Sequence, residues 1–196
     1  MTAFLYALGG YVAGSIPFAV IVSRILALPD PRTYGSKNIG ATNVLRSGSR
    51  IAALLTLVGD AGKGWAAVIV ARLLGAEDEI LAMVGLAAFL GHVFPVWLRF
   101  RGGKGVATLI GVVAALLWQA AIVVAIIWIL ALLLTRYSSV SGMVGAIAAP
   151  IAAFLLQRVD LSILFAGLAL LVLWKHRANI GRLLKGTEPR VGKSSG

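Results

Sequence analysis

The sequence contains no cysteine and only 2 histidines and 7 acidic residues among 196. The absence of cysteine excludes disulfides, thiolate metal sites and a cysteine nucleophile. Imidazole can come only from His92 and His176. The aspartates stand apart along the chain, so the aspartate cluster of a metal-dependent phosphotransferase or phosphatase is missing. We therefore predict neither a metal site nor a cofactor.

Hydrophobic residues make up 60% of the chain, and the mean hydropathy is +0.95. A soluble domain could not keep so many apolar side chains off its surface. Runs without a charged residue cover 1–23, 80–98, 105–135, 137–157 and 161–174, and a sixth run, 51–71, contains only Asp60 and Lys63. A helix needs about 20 apolar residues to cross a bilayer. The sequence therefore predicts an all-α integral membrane protein, organised as a single domain over 1–196 and without a cleaved signal peptide.

The distribution of charge predicts the orientation of this protein in the membrane. Basic residues cluster at 24–50, 99–104, 136 and 175–193, whereas most acidic residues lie in the other connections. The positive-inside rule places the basic clusters and the C-terminus in the cytoplasm and the N-terminus outside. Lys104 and Arg136 share a side if the run between them crosses twice, with a turn near Trp118 and Gln119, or if it does not cross at all, and we favour two crossings. About seven spans follow, over 3–26, 51–74, 79–98, 105–118, 120–135, 139–157 and 161–176.

Small and polar residues inside these spans predict how the helices pack. Gly9, Gly10 and Gly14 have the spacing of a close helix contact, as do Gly142, Gly145 and Ala149. Pro17 and Pro150 should kink their helices. Asp60 and Lys63 are three residues apart and should neutralise each other, although an intramembrane charge also suggests a functional contact. His92 should form a hydrogen bond within its span.

Three polar stretches fall on the predicted cytoplasmic side, at residues 35–46, 101–108 and 176–188. Each contains glycine, a hydroxyl or amide side chain, and a cation. Glycine lets backbone N–H groups approach an anion, and a neighbouring Lys or Arg adds charge, so the pattern suits phosphate oxygens. The spacing of a nucleotide P-loop is absent, at GGKG (102–105) and also at GDAGKG (59–64). ATP hydrolysis is therefore not predicted.

Each of these loops, taken alone, also fits an ordinary cytoplasmic turn with inside-positive charge. Three similar loops on one side favour a shared anionic ligand. His176 and Asn179 lie one turn apart, and we expect them on the same helix, which gives a histidine with an amide neighbour. The formal charge of +11 does not indicate nucleic-acid binding, because the cations are divided among apolar runs. A transporter of an organic phosphate remains an alternative, although the sequence shows no convincing internal repeat.

Several ordered motifs resemble the PlsY family, the bacterial acyl-phosphate-dependent glycerol-3-phosphate acyltransferases. They run through nearly the whole chain, and they are GSIP (14–17), GSKNIGATN (35–43) with Arg46, Asp60 with KG (63–64), HVFP (92–95), GGKGVAT (102–108), HRANIGR (176–182) and GTE (186–188). The resemblance implies a seven-helix enzyme of the bacterial inner membrane with its active site on the cytoplasmic face. Its reaction would transfer a fatty acyl group from acyl phosphate to the 1-hydroxyl of glycerol 3-phosphate. The products would be lysophosphatidic acid and phosphate, and the lysophosphatidic acid would enter phospholipid synthesis. No obligatory protein partner is expected.

The same matching implies roles for particular residues. Catalytic roles fall on Ser36, His176 and Asn179. Acyl phosphate would be bound by Ser36, Lys37, Asn38, Gly40, Thr42, Gly102 and Gly103. Glycerol 3-phosphate would be bound by Arg46, Lys104, Ser141, His176, Asn179 and Glu188. Two mechanisms stay open: Ser36 accepts the acyl group with His176 as its base, or transfer is direct and both residues orient the reactants. We favour direct transfer, because the acyl phosphate is already activated.

Overall fold

A computed structural model describes residues 2–191, and this part of the chain folds into helices without a β-strand. The α-helices are α1 (Thr2–Gly14), α2 (Phe18–Ile25), α3 (Ala41–Val44), α4 (Arg50–Leu73), α5 (Asp78–Val93), α6 (Val106–Leu116), α7 (Trp118–Thr135), α8 (Ser138–Leu155), α9 (Val159–Lys175) and α10 (Arg177–Leu184). The prediction of an all-α protein is confirmed. Lys193, which the sequence places in the C-terminal basic cluster, lies outside the described residues.

The helices have the length and composition of membrane spans. Among the described residues, 4 helices are long and apolar enough to cross a membrane singly, and up to 6 spans result if each of two bent pairs crosses as one. The bent pairs are α1 with α2, at 40°, and α9 with α10, at 57°. The remaining predicted span, 105–118, contains α6, whose 11 residues reach only about 16 Å against a hydrocarbon thickness of about 30 Å.

The long apolar run at 105–135 divides into two helices, as the sequence predicts. The break lies at Leu117, which has extended backbone angles (φ −153°, ψ 82°), one residue before the predicted turn. As a result α7 is longer than predicted and α6 is shorter. The contacts also divide the chain here, into one compact unit that ends at Leu116 and a second that begins at Leu117.

The first unit is built on two close helix pairs, α1 with α5 and α4 with α6. Glycines stand where the backbones meet: a methyl group at Gly14 would overlap the carbonyl of Ala88, and one at Gly111 would overlap that of Ala61. Gly10 similarly faces the carbonyl of Val84, whereas a methyl group at Gly9 would meet no atom within 4 Å. The predicted packing role is therefore confirmed for Gly10 and Gly14 and is wrong for Gly9.

A buried ion pair of α4 contacts the backbone at the break between α1 and α2. Lys63 Nζ lies 2.8 Å from Asp60 Oδ1, and 3% and 4% of the two side chains are exposed. The same ammonium group donates to the carbonyl of Ile16 at 2.7 Å. Ile16 precedes Pro17, which interrupts the helical ladder, and its carbonyl also accepts from the N–H of Phe18 at 3.2 Å. The predicted neutralisation of Asp60 by Lys63 is confirmed, and the bend at Pro17 is confirmed with it.

The second unit centres on α8, which packs against both α7 and α9. Its buried positions are small, including Gly142, Gly145, Ala149 and Ala153, so the neighbouring helices can approach closely. Pro150 lies inside α8, and the helix runs through it from Ser138 to Leu155. The helix is therefore not interrupted at Pro150, and the kink expected there stays a prediction.

Gly9 and Gly14 of α1 provide a matched test of this packing. Gly14→Ala should destabilise the protein by about 1–3 kcal/mol because the methyl group must displace the backbone of α5. Gly9→Ala should be neutral or slightly stabilising, since alanine favours a helix over glycine by about 1 kcal/mol. Thermal unfolding in one detergent measures both. Equal melting temperatures for the two variants would contradict the close α1–α5 contact.

Candidate active site

The first polar stretch is a loop that one buried amide holds in shape. Asn43, in α3, is 2% exposed. Its Nδ2 donates to the carbonyl of Pro31 at 2.7 Å and to that of Tyr34 at 3.3 Å. Its Oδ1 accepts from the backbone N–H of Ser36 at 2.9 Å. A single side chain therefore fixes the backbone on both sides of Gly35.

Two residues of this loop have left-handed backbone angles. The φ angles of Gly35 and Lys37 are +56° and +55°. A side chain at position 35 would overlap Asn43 Oδ1 and would press on the Arg46 side chain, so Arg46 lies directly over the loop. Glycine is required here for both reasons. The loop thereby brings the Arg46 guanidinium next to the residue that precedes Ser36.

Most of the substrate-binding residues predicted in this stretch have exposed side chains. Ser36, Lys37, Thr42 and Arg46 are exposed, whereas Asn38 and Gly40 are partly buried. Ile39 lies between them at 4% exposure and packs with Ala19, Val22, Val44 and Ala52. The apolar anchor thus holds a loop whose polar side chains remain accessible.

The second polar stretch is fastened to the end of α5. The N–H of Gly102 donates to the carbonyl of Val93 at 3.2 Å, and the N–H of Gly103 donates to that of His92 at 3.1 Å. These two N–H groups therefore do not form the anion-binding nest that the glycines suggest in the sequence. The glycines instead permit a close backbone contact, and Lys104, which is partly buried, follows them directly.

A cavity of about 640 Å³ joins the two stretches within the first unit. It is lined by Lys37 and Gly102 and by a set of cations and apolar residues, namely Arg32, Arg99, Arg101, Ile39, Trp97 and Leu98. Arg32, Arg99 and Arg101 are not among the predicted site residues. The hydrogen bond from Arg32 lowers the pKa of Asp30, and that pair offsets one charge of the cavity. Three cationic side chains remain on its wall.

His176 stands at the junction of α9 and α10 and is 3% exposed. The two helices meet there at 57°, so His176 and Asn179 do not share one continuous helix as predicted. His176 Nδ1 lies 2.8 Å from the carbonyl of Val172. Since a carbonyl can only accept, Nδ1 carries the hydrogen, and the lone pair of the neutral ring is on Nε2. A backbone carbonyl thus orients this ring.

Glu188 connects the third polar stretch to the start of α8. Its Oε1 accepts from Ser139 Oγ at 2.6 Å and from Asn179 Nδ2 at 2.7 Å. Its Oε2 accepts from Arg182 Nε at 2.7 Å. Burial alone would raise the pKa of Glu188, but these three hydrogen bonds outweigh it and hold the pKa below its usual value. The carboxylate is therefore ionised and engaged with protein donors.

The structure assigns different positions to two serines of α8. Ser141 is 0% exposed, and its hydroxyl donates to the carbonyl of Tyr137 one turn earlier at 3.0 Å. Ser139, which the sequence did not single out, carries the contact with Glu188. No motif surrounds Ser139, and only the folded position of Glu188 identifies it. Of the residues predicted in the second unit, Asn179 and Glu188 are in direct contact.

Comparisons with known proteins give a consistent result. The profile of the family described as glycerol-3-phosphate acyltransferase matches residues 4–186. The chain is 50% identical over 190 residues to the glycerol-3-phosphate acyltransferase of Nitrosomonas eutropha, covering 94% of this chain and 95% of that protein. It is 52% identical over 186 residues to that of Laribacter hongkongensis, covering 93% and 92%.

Two solved structures share the fold. Both are crystal structures of PlsY, an integral membrane glycerol 3-phosphate acyltransferase. The glycerol 3-phosphate form matches with a TM-score of 0.92 and 34% identity, over 98% of this chain and 96% of that one. The lysophosphatidic acid form matches with a TM-score of 0.89 and 33% identity, over 97% and 95%. This chain therefore belongs to the PlsY family of glycerol-3-phosphate acyltransferases.

Proposed function

We propose that this protein transfers a fatty acyl group from acyl phosphate to the 1-hydroxyl of glycerol 3-phosphate. The products are lysophosphatidic acid and inorganic phosphate. The observation that best supports an anionic donor is the cavity at Lys37 and Gly102, whose wall also carries Arg99 and Arg101. Because apolar helices adjoin these loops, the acyl chain can stay in hydrocarbon while its phosphate meets the cations.

The charge of the two substrates makes such cations necessary. Each phosphate carries close to two negative charges at neutral pH. Two dianions about 6 Å apart, at an effective dielectric constant of about 20, repel by about 11 kcal/mol. We assign the phosphate of the donor to Lys37 and the cavity, with Ser36, Asn38, Gly40 and Thr42 beside it. Arg46 and Lys104 are assigned to the phosphate of glycerol 3-phosphate.

The reaction needs one bond exchange and one proton transfer. The 1-hydroxyl oxygen bonds to the acyl carbon, the bond from that carbon to the phosphate oxygen breaks, and phosphate leaves with the bonding electrons. The hydroxyl proton passes either to Nε2 of His176 or to an oxygen of the phosphate. An acyl phosphate is already activated, so Ser36 can orient it without becoming acylated. Cationic side chains stabilise the departing negative charge.

We propose a positioning role for Glu188, in place of direct contact with glycerol phosphate. An ionised carboxylate repels a phosphate dianion, and this one accepts hydrogen bonds from Ser139, Asn179 and Arg182. Its effect is to fix Asn179, three residues after His176. Ser141 is similarly proposed to support the start of α8, because its hydroxyl is bonded within that helix.

The proposed location is the bacterial inner membrane, with the polar loops at the cytoplasmic face. The arrangement of basic residues supports this orientation through the positive-inside rule. We propose that both substrates reach the loops without a carrier protein, and hence that no protein partner is obligatory.

The acyl donor is tested with purified protein in lipid or mild detergent. Palmitoyl phosphate with glycerol 3-phosphate should give lysophosphatidic acid, whereas palmitoyl-CoA should give none. The reason is that the cations of the cavity are placed for a phosphate bonded directly to the acyl carbon, and the thioester of palmitoyl-CoA has no such phosphate. Mass spectrometry of the lipid product measures both reactions. Product from palmitoyl-CoA at an equal rate would contradict the proposed donor.

Site variants test the residues assigned to the substrates, and intact-mass spectrometry separates direct transfer from an acyl-enzyme. Lys104→Ala and His176→Ala should lower kcat/KM by at least about 100-fold, the scale for losing a charge contact or a general base. Under direct transfer, intact-mass spectrometry of the wild type during turnover should show no acyl adduct on Ser36. An adduct that forms and decays at the turnover rate would establish the acyl-enzyme instead.

The ionised state of Glu188 predicts a pH-dependent stability difference. Glu188→Gln should be less stable than the wild type at pH 7 by about 2 kcal/mol, the scale for hydrogen bonds to a charged group. Because folding lowers the pKa of Glu188 from its usual 4.5, the stabilisation is complete above that pH and is lost as the pH falls below it. Thermal unfolding across pH 3.5–7 measures the difference, with the exposed Glu79→Gln as control. A difference from the wild type that stays constant down to pH 3.5 would rule out this role.

A further inference from the structure

Three ionisable side chains that the proposed reaction does not use are buried together in the first unit. Asp60 is 3%, Lys63 6% and His92 4% exposed. Besides its ion pair with Lys63, Asp60 Oδ1 lies 3.5 Å from Nδ1 of His92. The cluster therefore connects α4, which carries Asp60 and Lys63, to the last turn of α5, which carries His92.

Stability alone does not account for this cluster. Removing charges from water costs several kcal/mol per ion, and well-packed apolar residues often serve as well in such a position. Polar groups inside membrane segments tend to have functions beyond packing. A function should therefore be sought in the residues that the cluster touches.

His92 holds the residue immediately before Lys104. The carbonyl of His92 accepts from the N–H of Gly103 at 3.1 Å. The imidazole lies against the same glycine, since a methyl group at position 103 would overlap the ring at Nε2 and Cε1. Gly103 is thus fixed by both the backbone and the ring of one residue.

The residues after Lys104 are fixed to the same turn of α4. Thr108 Oγ1 donates to the carbonyl of Asp60 at 2.9 Å, and Thr108 is 0% exposed. A methyl group at Gly64 would overlap the carbonyl of Thr108, so the two backbones are in close contact. Lys104 therefore stands between two anchors, His92 before it and Thr108 after it, and both lead to Asp60.

We propose that Asp60, Lys63 and His92 form a positioning cluster that sets the place of Lys104. The ion pair holds Asp60 in one geometry, Asp60 orients the His92 ring, and the ring holds Gly103 so that the Lys104 ammonium meets the phosphate of glycerol 3-phosphate. This inference rests on the proposed role of Lys104. It adds three residues that act through Lys104 without touching a substrate.

The test begins with His92→Phe, which keeps a ring against Gly103 but removes the nitrogen facing Asp60. The Asp60–Lys63 pair remains, so the variant should fold. We expect KM for glycerol 3-phosphate to rise about tenfold, as expected for a misplaced binding group, with little change in kcat. His92→Asn, whose amide can occupy the place of Nδ1, should recover part of this loss. The acyl donor is the one that the wild-type enzyme uses.

A purely structural role predicts a different pattern. Val84→Ala removes buried volume from the same helix, where Val84 is 1% exposed and packs away from the cluster with Val68, Ala71, Leu81 and Ala115. It should lower the melting temperature and leave KM unchanged. If His92→Phe changes only the melting temperature in the same way, His92 is structural and the inference is overturned.

Combination with Lys104→Met tests the route of the effect. If His92 acts through Lys104, adding His92→Phe to Lys104→Met should raise KM no further, because contacting residues of one network are not additive. If KM in the double variant rises by the product of the two single-variant increases, the inference is overturned and the role of Lys104 is left intact. A wild-type KM in Lys104→Met itself would instead overturn the proposed function of Lys104, and with it this inference.

Discussion

Hydrocarbon offers no hydrogen bonds, so every backbone polar group inside the spans must find its partner in the protein, and the first unit is organised by this constraint. Pro17 interrupts the helical ladder, and the carbonyl of Ile16 accepts a backbone hydrogen bond from Phe18 at 3.2 Å. Lys63 adds a second hydrogen bond to this carbonyl at 2.7 Å, and Asp60 neutralises Lys63 at 2.8 Å. The two opposite charges inside an otherwise apolar helix thus lie at the break in the first span. The turn of α4 that carries them then becomes the point to which α5 and α6 are fixed.

The glycines of the polar loops serve close contact more than anion binding. The N–H groups of Gly102 and Gly103 donate to carbonyls at the end of α5, and the N–H of Ser36 donates to Asn43. With these amides engaged, the proposed binding of phosphate depends on the side chains of Lys37, Arg99 and Arg101 at the cavity. A binding side chain is placed more precisely when the backbone that carries it is held by hydrogen bonds. The hydrogen-bonded loops and the cationic side chains therefore have complementary roles in the proposed site.

The sequence predicted the features that depend on local spacing. Apolar length predicted the helices, Pro17 the first bend, and the three-residue separation of Asp60 and Lys63 their ion pair. Features that depend on which helices become neighbours were not predictable in this way. Gly9 and Gly14 belong to one small-residue pattern, yet only Gly14 faces α5. Ser139 and Ser141 are equally plausible in the sequence, and only the path of the chain to Glu188 distinguishes them. Asn43 belongs to the GSKNIGATN motif. Its hydrogen bonds to Pro31, Tyr34 and Ser36 could not be predicted, because they depend on the folded path of the loop.

In each unit, buried polar groups hold residues of the proposed site, but the charges involved differ. In the first, a buried ion pair and an imidazole support a loop that ends in a cation, Lys104. In the second, a carboxylate, Glu188, gathers donors from Ser139, Asn179 and Arg182, and a backbone carbonyl sets the tautomer of His176. Lys104 and Asn179 thus have supporting contacts from other elements, and His176 has one from its own helix. In the proposed reaction between two anions, such support reduces the reorganisation that is required, because the side chains assigned to the substrates are already held by contacts within their own unit.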